Sequence, residues 1–218
     1  MNGLARLRYP QGRLKQGAAV RQVVEASLDA LLKAETYADV HTVIVRAGVA
    51  LGYDYFGYQY WPGAQEYGDR DFAGVVQCNY PQAWMSRYVE QNYYDCDPVR
   101  LFGLSQDGVS EWRLLDRTDV SQERFMQEAA RFGIEDGVIG SFHDSEGSRL
   151  QLAYAGPSGR GDPRQALEAL QIIGPMMTVC LRKAYLLESR IRWLTERQRD
   201  AFFLLRRSAM RERFESYQ

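Results

Sequence analysis

The sequence predicts an α/β protein, an α-β-α sandwich with a central antiparallel sheet, and three observations carry that prediction. Two stretches near the start repeat their apolar residues at helical spacing. The aromatic run YDYFGYQYW alternates as a strand does, and GVIGSFHD and RLQLAYA flank a turn as the arms of a hairpin. Helices on both faces of such a sheet bury it completely.

In chain order, residues 1–17 are basic and aperiodic and read as a leader. From Ala18 to Lys33, Val20, Val23, Val24, Leu28, Leu31 and Leu32 form one helical face. Thr36 caps a second helix through Leu51, with Val40, Val43, Ile44 and Ala47 inward, and Gly52 stops it. Residues 53–61 form a strand with two occupied faces. Either Phe56, Tyr58 and Tyr60 or their alternates face a site, and alternation does not say which. A loop comes next, and Phe72–Asn79 is a second strand. Pro81 suits the first turn of a helix on which Trp84 and Tyr88 are i and i+4, with Tyr80 just before it. Asp97, ahead of Pro98, caps the next helix.

Ser121 is the expected cap of a helix to Phe132 that packs through Phe125, Met126, Ala129 and Ala130, and Gly133 ends it. The hairpin turns at Gly147. Asp162 and Pro163 start a long helix towards Arg190, with a bend expected at Pro175. Its stripe of Leu167, Leu170, Ile173, Met177, Cys180, Leu181 and Leu186 either closes the core or pairs with a partner.

With 218 residues, 45% of them apolar, the chain can bury one main domain with an appendage. Its 27 basic and 28 acidic residues leave a net charge of −1, which is no argument for nucleic acid. Three scattered cysteines suit reduced thiols in a cytoplasmic protein, and His41 and His143 show no metal-ligand spacing. Nucleophile, base and orienting residues form no recognisable set, so no enzyme and no cofactor is expected. No apolar run is long enough to span a bilayer.

The residues from Asn79 to Trp112 point to a binding function. Four large aromatic side chains, Tyr80, Trp84, Tyr88 and Trp112, and the carboxylate of Asp97 are spaced to converge. Phenol and indole tips need hydrogen-bond partners when buried. Such walls suit a neutral polar ring bearing an amide and an apolar tail. The run NYPQAW, then Tyr88, the DP pair, Trp112 and Gly137 resembles the ligand-binding domain of LuxR-type quorum-sensing regulators, over Val20 to Arg190. The resemblance implies a GAF/PAS-like autoinducer-binding domain whose ligand is an N-acyl-homoserine lactone. It implies that Trp84 donates to the lactone carbonyl, Asp97 accepts from the ligand amide and Tyr80 donates to the acyl amide oxygen. Trp112 would pack on the lactone ring and Tyr88 along the acyl chain, with Tyr58, Val99, Ile139 and Ala153 completing the lining. The chain departs from the family pattern at Ser141, where many members have proline, and at Ala153, where some present a hydroxyl. Gly140 is expected to leave room for a longer chain.

The domain plan is therefore a leader, a sensor at 18–190, and a linker at 191–218 with the start of a helix-turn-helix. LTERQRDAFFLL, residues 194–205, resembles the opening of that domain in the family, and Thr195 can cap its first helix. The 25 residues from Leu194 to Gln218 are too few for a scaffold helix, a recognition helix and the dimer helix that follows, so DNA binding by this chain alone is not expected. The resemblance implies dimerisation through the long helix, as a homodimer or with a full-length relative. The expected output is that of an antiactivator; the alternative is the ligand-binding part of a DNA-binding transcription factor.

Overall fold

The computed structural model describes residues 16–63 and 75–192. Residues 1–15 of the leader and the helix-turn-helix-like run therefore lie outside the described residues, while Gln16 and Gly17 open the first helix. Helices α1 (Gln16–Lys33) and α2 (Tyr37–Ala50) lead into strands β1 (Tyr55–Trp61) and β2 (Val75–Cys78). Helices α3 (Gln82–Glu90) and α4 (Pro98–Ser105), strand β3 (Gly108–Glu111) and helix α5 (Val120–Ala130) come next. The hairpin β4 (Asp136–His143) and β5 (Arg149–Gly156) precedes the closing helix α6 (Pro163–Arg192). The five strands run in the order β2-β1-β5-β4-β3, every neighbour antiparallel.

Local chemistry sets most of the boundaries. Thr36 and Asp39 cap α2 reciprocally, the threonine oxygen accepting from the Asp39 N–H and the aspartate from the Thr36 N–H. Asp144 accepts from the Glu146 and Ser148 amides to fold the hairpin turn, where Gly147 takes φ +81°. Two helix starts differ from expectation. Pro81 has an extended backbone (ψ 138°) and stands one position ahead of α3. Asp119, not Ser121, caps α5, because Asp119 has Gln122 three residues on to return the bond, whereas Ser121 has Arg124. The short edge strand β3 was not anticipated, since GVSE carries a single β-branched residue.

The sheet separates two apolar clusters. On one face α1, α2 and α6 pack against Phe56, Tyr58 and Tyr60 of β1, Leu150, Leu152 and Tyr154 of β5, and Val138 and Phe142 of β4. Leu170, Ile173, Met177 and Leu181 of α6 are fully buried here, so the stripe on α6 closes the core. On the other face α3, α4 and α5 cover Ile139, Ala153 and Ala155. Arg87 of α3 meets Glu128 of α5 through two hydrogen bonds of 2.7 and 3.0 Å, and Arg124 adds a third at 3.2 Å. The Arg87 contact, followed by that of Arg124, holds the Glu128 carboxyl down at about 2, so this tie between the helices survives mild acid.

Tyr154 pins the first layer to the sheet. Its ring lies over Gly48, where a Cβ would come within 2.6 Å of the ring, and its hydroxyl donates to the Ile44 carbonyl at 2.8 Å. Tyr154→Phe removes that buried bond while the carbonyl keeps its place in α2, so a loss of about 1 kcal/mol is expected in urea unfolding. An unchanged midpoint would show that the hydroxyl contributes nothing.

Candidate ligand-binding site

The floor of the site is set by strand register. Ser110, Ile139, Ala153, Gly57 and Cys78 stand opposite one another across β3, β4, β5, β1 and β2, and opposed residues share a face. Ile139 and Ala153 lie in the cluster under α3, α4 and α5, which assigns this row to that layer. The next row pairs Gly137 with Ala155 and Tyr55. Small residues dominate both rows, so aromatic rings can approach the backbone. A Cβ on Gly57 would lie 2.9 Å from the Tyr80 ring, and one on Gly137 2.9 Å from the Trp112 indole.

Above this floor, Trp84 is held by other rings. It stacks on Tyr93 at 5.8 Å and meets Phe125, Phe132 and Tyr88 edge-on or tilted at 5.4 to 6.0 Å. Tyr93 and Phe132 were not foreseen as its supports. The only sequence signal for Tyr93 is its place in a YYD turn, folded after Asn92 takes φ 50°. Trp112 follows β3 in a short helical turn, and its buried indole N–H has no partner among the described residues.

Asp97 caps α4, as its place before Pro98 suggested. One carboxylate oxygen accepts from the Val99 N–H at 2.9 Å and the Arg100 N–H at 3.2 Å; the other accepts from the Tyr88 hydroxyl at 3.0 Å. A carboxylate offers about four acceptor positions, so one remains for a further donor. Burial pushes the Asp97 carboxyl up to about 6, against the pull of those bonds. Burial, reinforced by the Asp97 charge, also raises the Tyr80 and Tyr88 phenols, which stay protonated donors at neutral pH.

Of the expected lining, Tyr80, Trp84, Tyr88, Val99, Trp112, Ile139 and Ala153 share one cluster, with Asp97 joined to it through Tyr88. Tyr58 does not join them. The odd-numbered residues of β1 face this layer, so Tyr58 points to the opposite one, where it is buried and its hydroxyl lies 3.3 Å from Nδ1 of His41. Gly140 is likewise on the far face: it opposes Leu152, and a Cβ there would strike the Phe142 ring at 2.5 Å. Its missing side chain makes room for the core, not for a guest. Ser141 faces the site layer and donates to the Gly103 carbonyl at 3.0 Å.

Residues 36–184 match the sequence profile of the family described as the autoinducer binding domain. The chain belongs to that family. The autoinducer-binding domain is that of LuxR-type quorum-sensing transcription regulators, a family of regulators and not of enzymes. The transcriptional activator protein AnoR of Acinetobacter nosocomialis is 28% identical over 132 residues, 60% of this chain and 54% of AnoR, so the chain spans about half the length of that relative. Among solved structures, the N-acylhomoserine lactone-dependent LuxR-family factor CepR2 of Burkholderia cenocepacia superposes with a TM-score of 0.57 at 22% identity, covering 78% of this chain and 99% of CepR2. Escherichia coli SdiA gives 0.58 at 19% identity, over 76% and 68% of the two chains. At these identities the solved structures speak for the shared α/β fold.

The raised Asp97 carboxyl has a signed consequence. Between the ordinary carboxylate value and about 6 the folded autoinducer-binding domain holds a proton that the unfolded chain has released, so acidification favours folding there. Asparagine keeps the N-cap but cannot titrate. In urea unfolding without ligand, the wild type should gain on Asp97→Asn as pH falls from 7 towards 4.5, by about 2 kcal/mol. Parallel pH profiles would contradict the shift.

Proposed function

We propose that the chain binds an N-acyl-homoserine lactone between the sheet and helices α3, α4 and α5. The observation that carries this reading is the Asp97 carboxylate, which keeps one open acceptor position while bonded to Tyr88 and near Tyr80. An amide N–H fits that position, and the Tyr80 phenol, its ring packed beside Tyr55, is suited to the amide oxygen. The Trp84 indole N–H is assigned to the lactone carbonyl, Trp112 to the ring, and Val99, Ile139 and Ala153 to the tail. Domain limits of 18–190 for the sensor, with flanks at 1–17 and 191–218, belong to the same proposal, as does a cytoplasmic setting, supported by three free thiols.

The test is to express the chain with a mixture of lactones, purify it and identify extracted small molecules by mass spectrometry. A retained acyl-homoserine lactone is the expected result, and retention of none would count against the ligand class. Trp84→Phe keeps an aromatic ring among its neighbours and removes the donor, so it should weaken lactone binding by about 1 kcal/mol or more. Unchanged affinity would remove the indole from the binding set.

We infer that regulation runs through dimerisation, with a full-length LuxR-type relative as the partner and antiactivation as the output. Ile172 and Val179 support it, since they lie two turns apart on α6 and stay exposed opposite its buried stripe. The alternative output is direct DNA binding as part of a complete transcription factor. A tagged chain that co-purifies with a full-length regulator from the same cell favours antiactivation; self-association alone speaks against it.

A further inference from the structure

One buried polar group on the site layer is used by none of the contacts assigned to the lactone. Gln151 lies on β5 two residues from Ala153, hence on the same face and ~7 Å along the strand. It is 5% exposed, and its side-chain Nε2 has no hydrogen-bond partner among the described residues. A buried amide donor without an acceptor is rare in folded proteins and is a place to look for a missing guest.

Its surroundings define which way it is open to service. Directly opposite stand Ser141 on β4 and Gln59 on β1. Ser141 gives its hydrogen to the Gly103 carbonyl, and its oxygen accepts no bond from the Gln151 amide. From above, the α4 backbone descends so closely that a Cβ on Gly103 would lie 2.4 Å from the Gln151 amide carbon. Helix α4 begins at the Asp97 cap and reaches Gly103 ~9 Å further on, with Val99 and Phe102 on the site cluster between them. Helix α4 thus starts at the Asp97 carboxylate and closes over the Gln151 amide, lying against β4 and β5, the strands of Ile139 and Ala153.

We propose that Gln151 is a specificity-determining residue whose amide donates to an oxygen on the far part of the ligand's acyl chain. The preferred ligand is then an amide with a hydroxyl or carbonyl acceptor remote from the lactone, because a plain alkyl chain leaves the buried donor unpaired. This assignment rests on the chain being a lactone binder.

The test uses the full chain and matched pairs of lactones, hexanoyl, octanoyl and decanoyl, each beside its ω-hydroxy counterpart, with affinities read by calorimetry. At the best-fitting length the hydroxylated member should bind the wild type roughly tenfold more tightly. Gln151→Met, of similar length and without the donor, should erase that preference and tighten binding of the alkyl member. The wild-type ratio needs no variant and decides by itself. If the alkyl member binds as well or better at every length, the role given to Gln151 falls while the ligand class stands. If none of the six binds, the ligand class falls and this assignment with it.

Discussion

The two-residue alternation of β1, β4 and β5 is the constraint on which the rest of this domain depends. Their residues are heavy on one face, with Phe56, Tyr58, Tyr60, Leu150, Leu152 and Tyr154, and on the other a run of small ones, Gly57, Gly137, Ala153 and Ala155, lies between larger neighbours. The heavy face fills itself against α1, α2 and α6. The run of small residues leaves depth that Tyr80 and Trp112 use to reach the backbone. A register slip of one residue would exchange the two faces and lose both the core and the site.

The parts of this arrangement legible in the sequence are those whose signal is local. The Thr36 cap, the Asp97-Pro98 start of α4, the hairpin around Gly147 and the stripe of α6 depend on neighbours within a turn or two. Tyr58 and Gly140 were misplaced for the opposite reason. Which face a strand residue takes is decided by the strands beside it, and β1 carries aromatic residues on both faces, so its own pattern is silent. Asp119 and Ser121 competed as caps, and the partner three residues ahead decided between them. Of the floor, Ile139 and Ala153 came only through the family resemblance, and Gly57, with no side chain, announces nothing until register sets it beside Ala153.

Two carboxylates show how environment divides labour in the second layer. Glu128 is supplied with guanidinium charge from Arg87 and Arg124 and holds α3 to α5. Asp97 has only neutral donors bonded to it, from two backbone amides and a phenol, and the burial that raises its carboxyl is uncompensated by a close ion pair. One group is paired with charge and structural. The other retains an unmet need that an amide-bearing molecule could fulfil, and it sits at the start of the helix that covers the floor.

The central position of β5 has a mechanical implication. With two strands on either side and every residue from Leu150 to Gly156 buried, it cannot tilt or slide without disturbing the whole sheet. The surface it offers is rigid, so evolutionary retuning there must proceed by replacing side chains, whereas compliance toward differently shaped molecules has to come from the helical cover opposite.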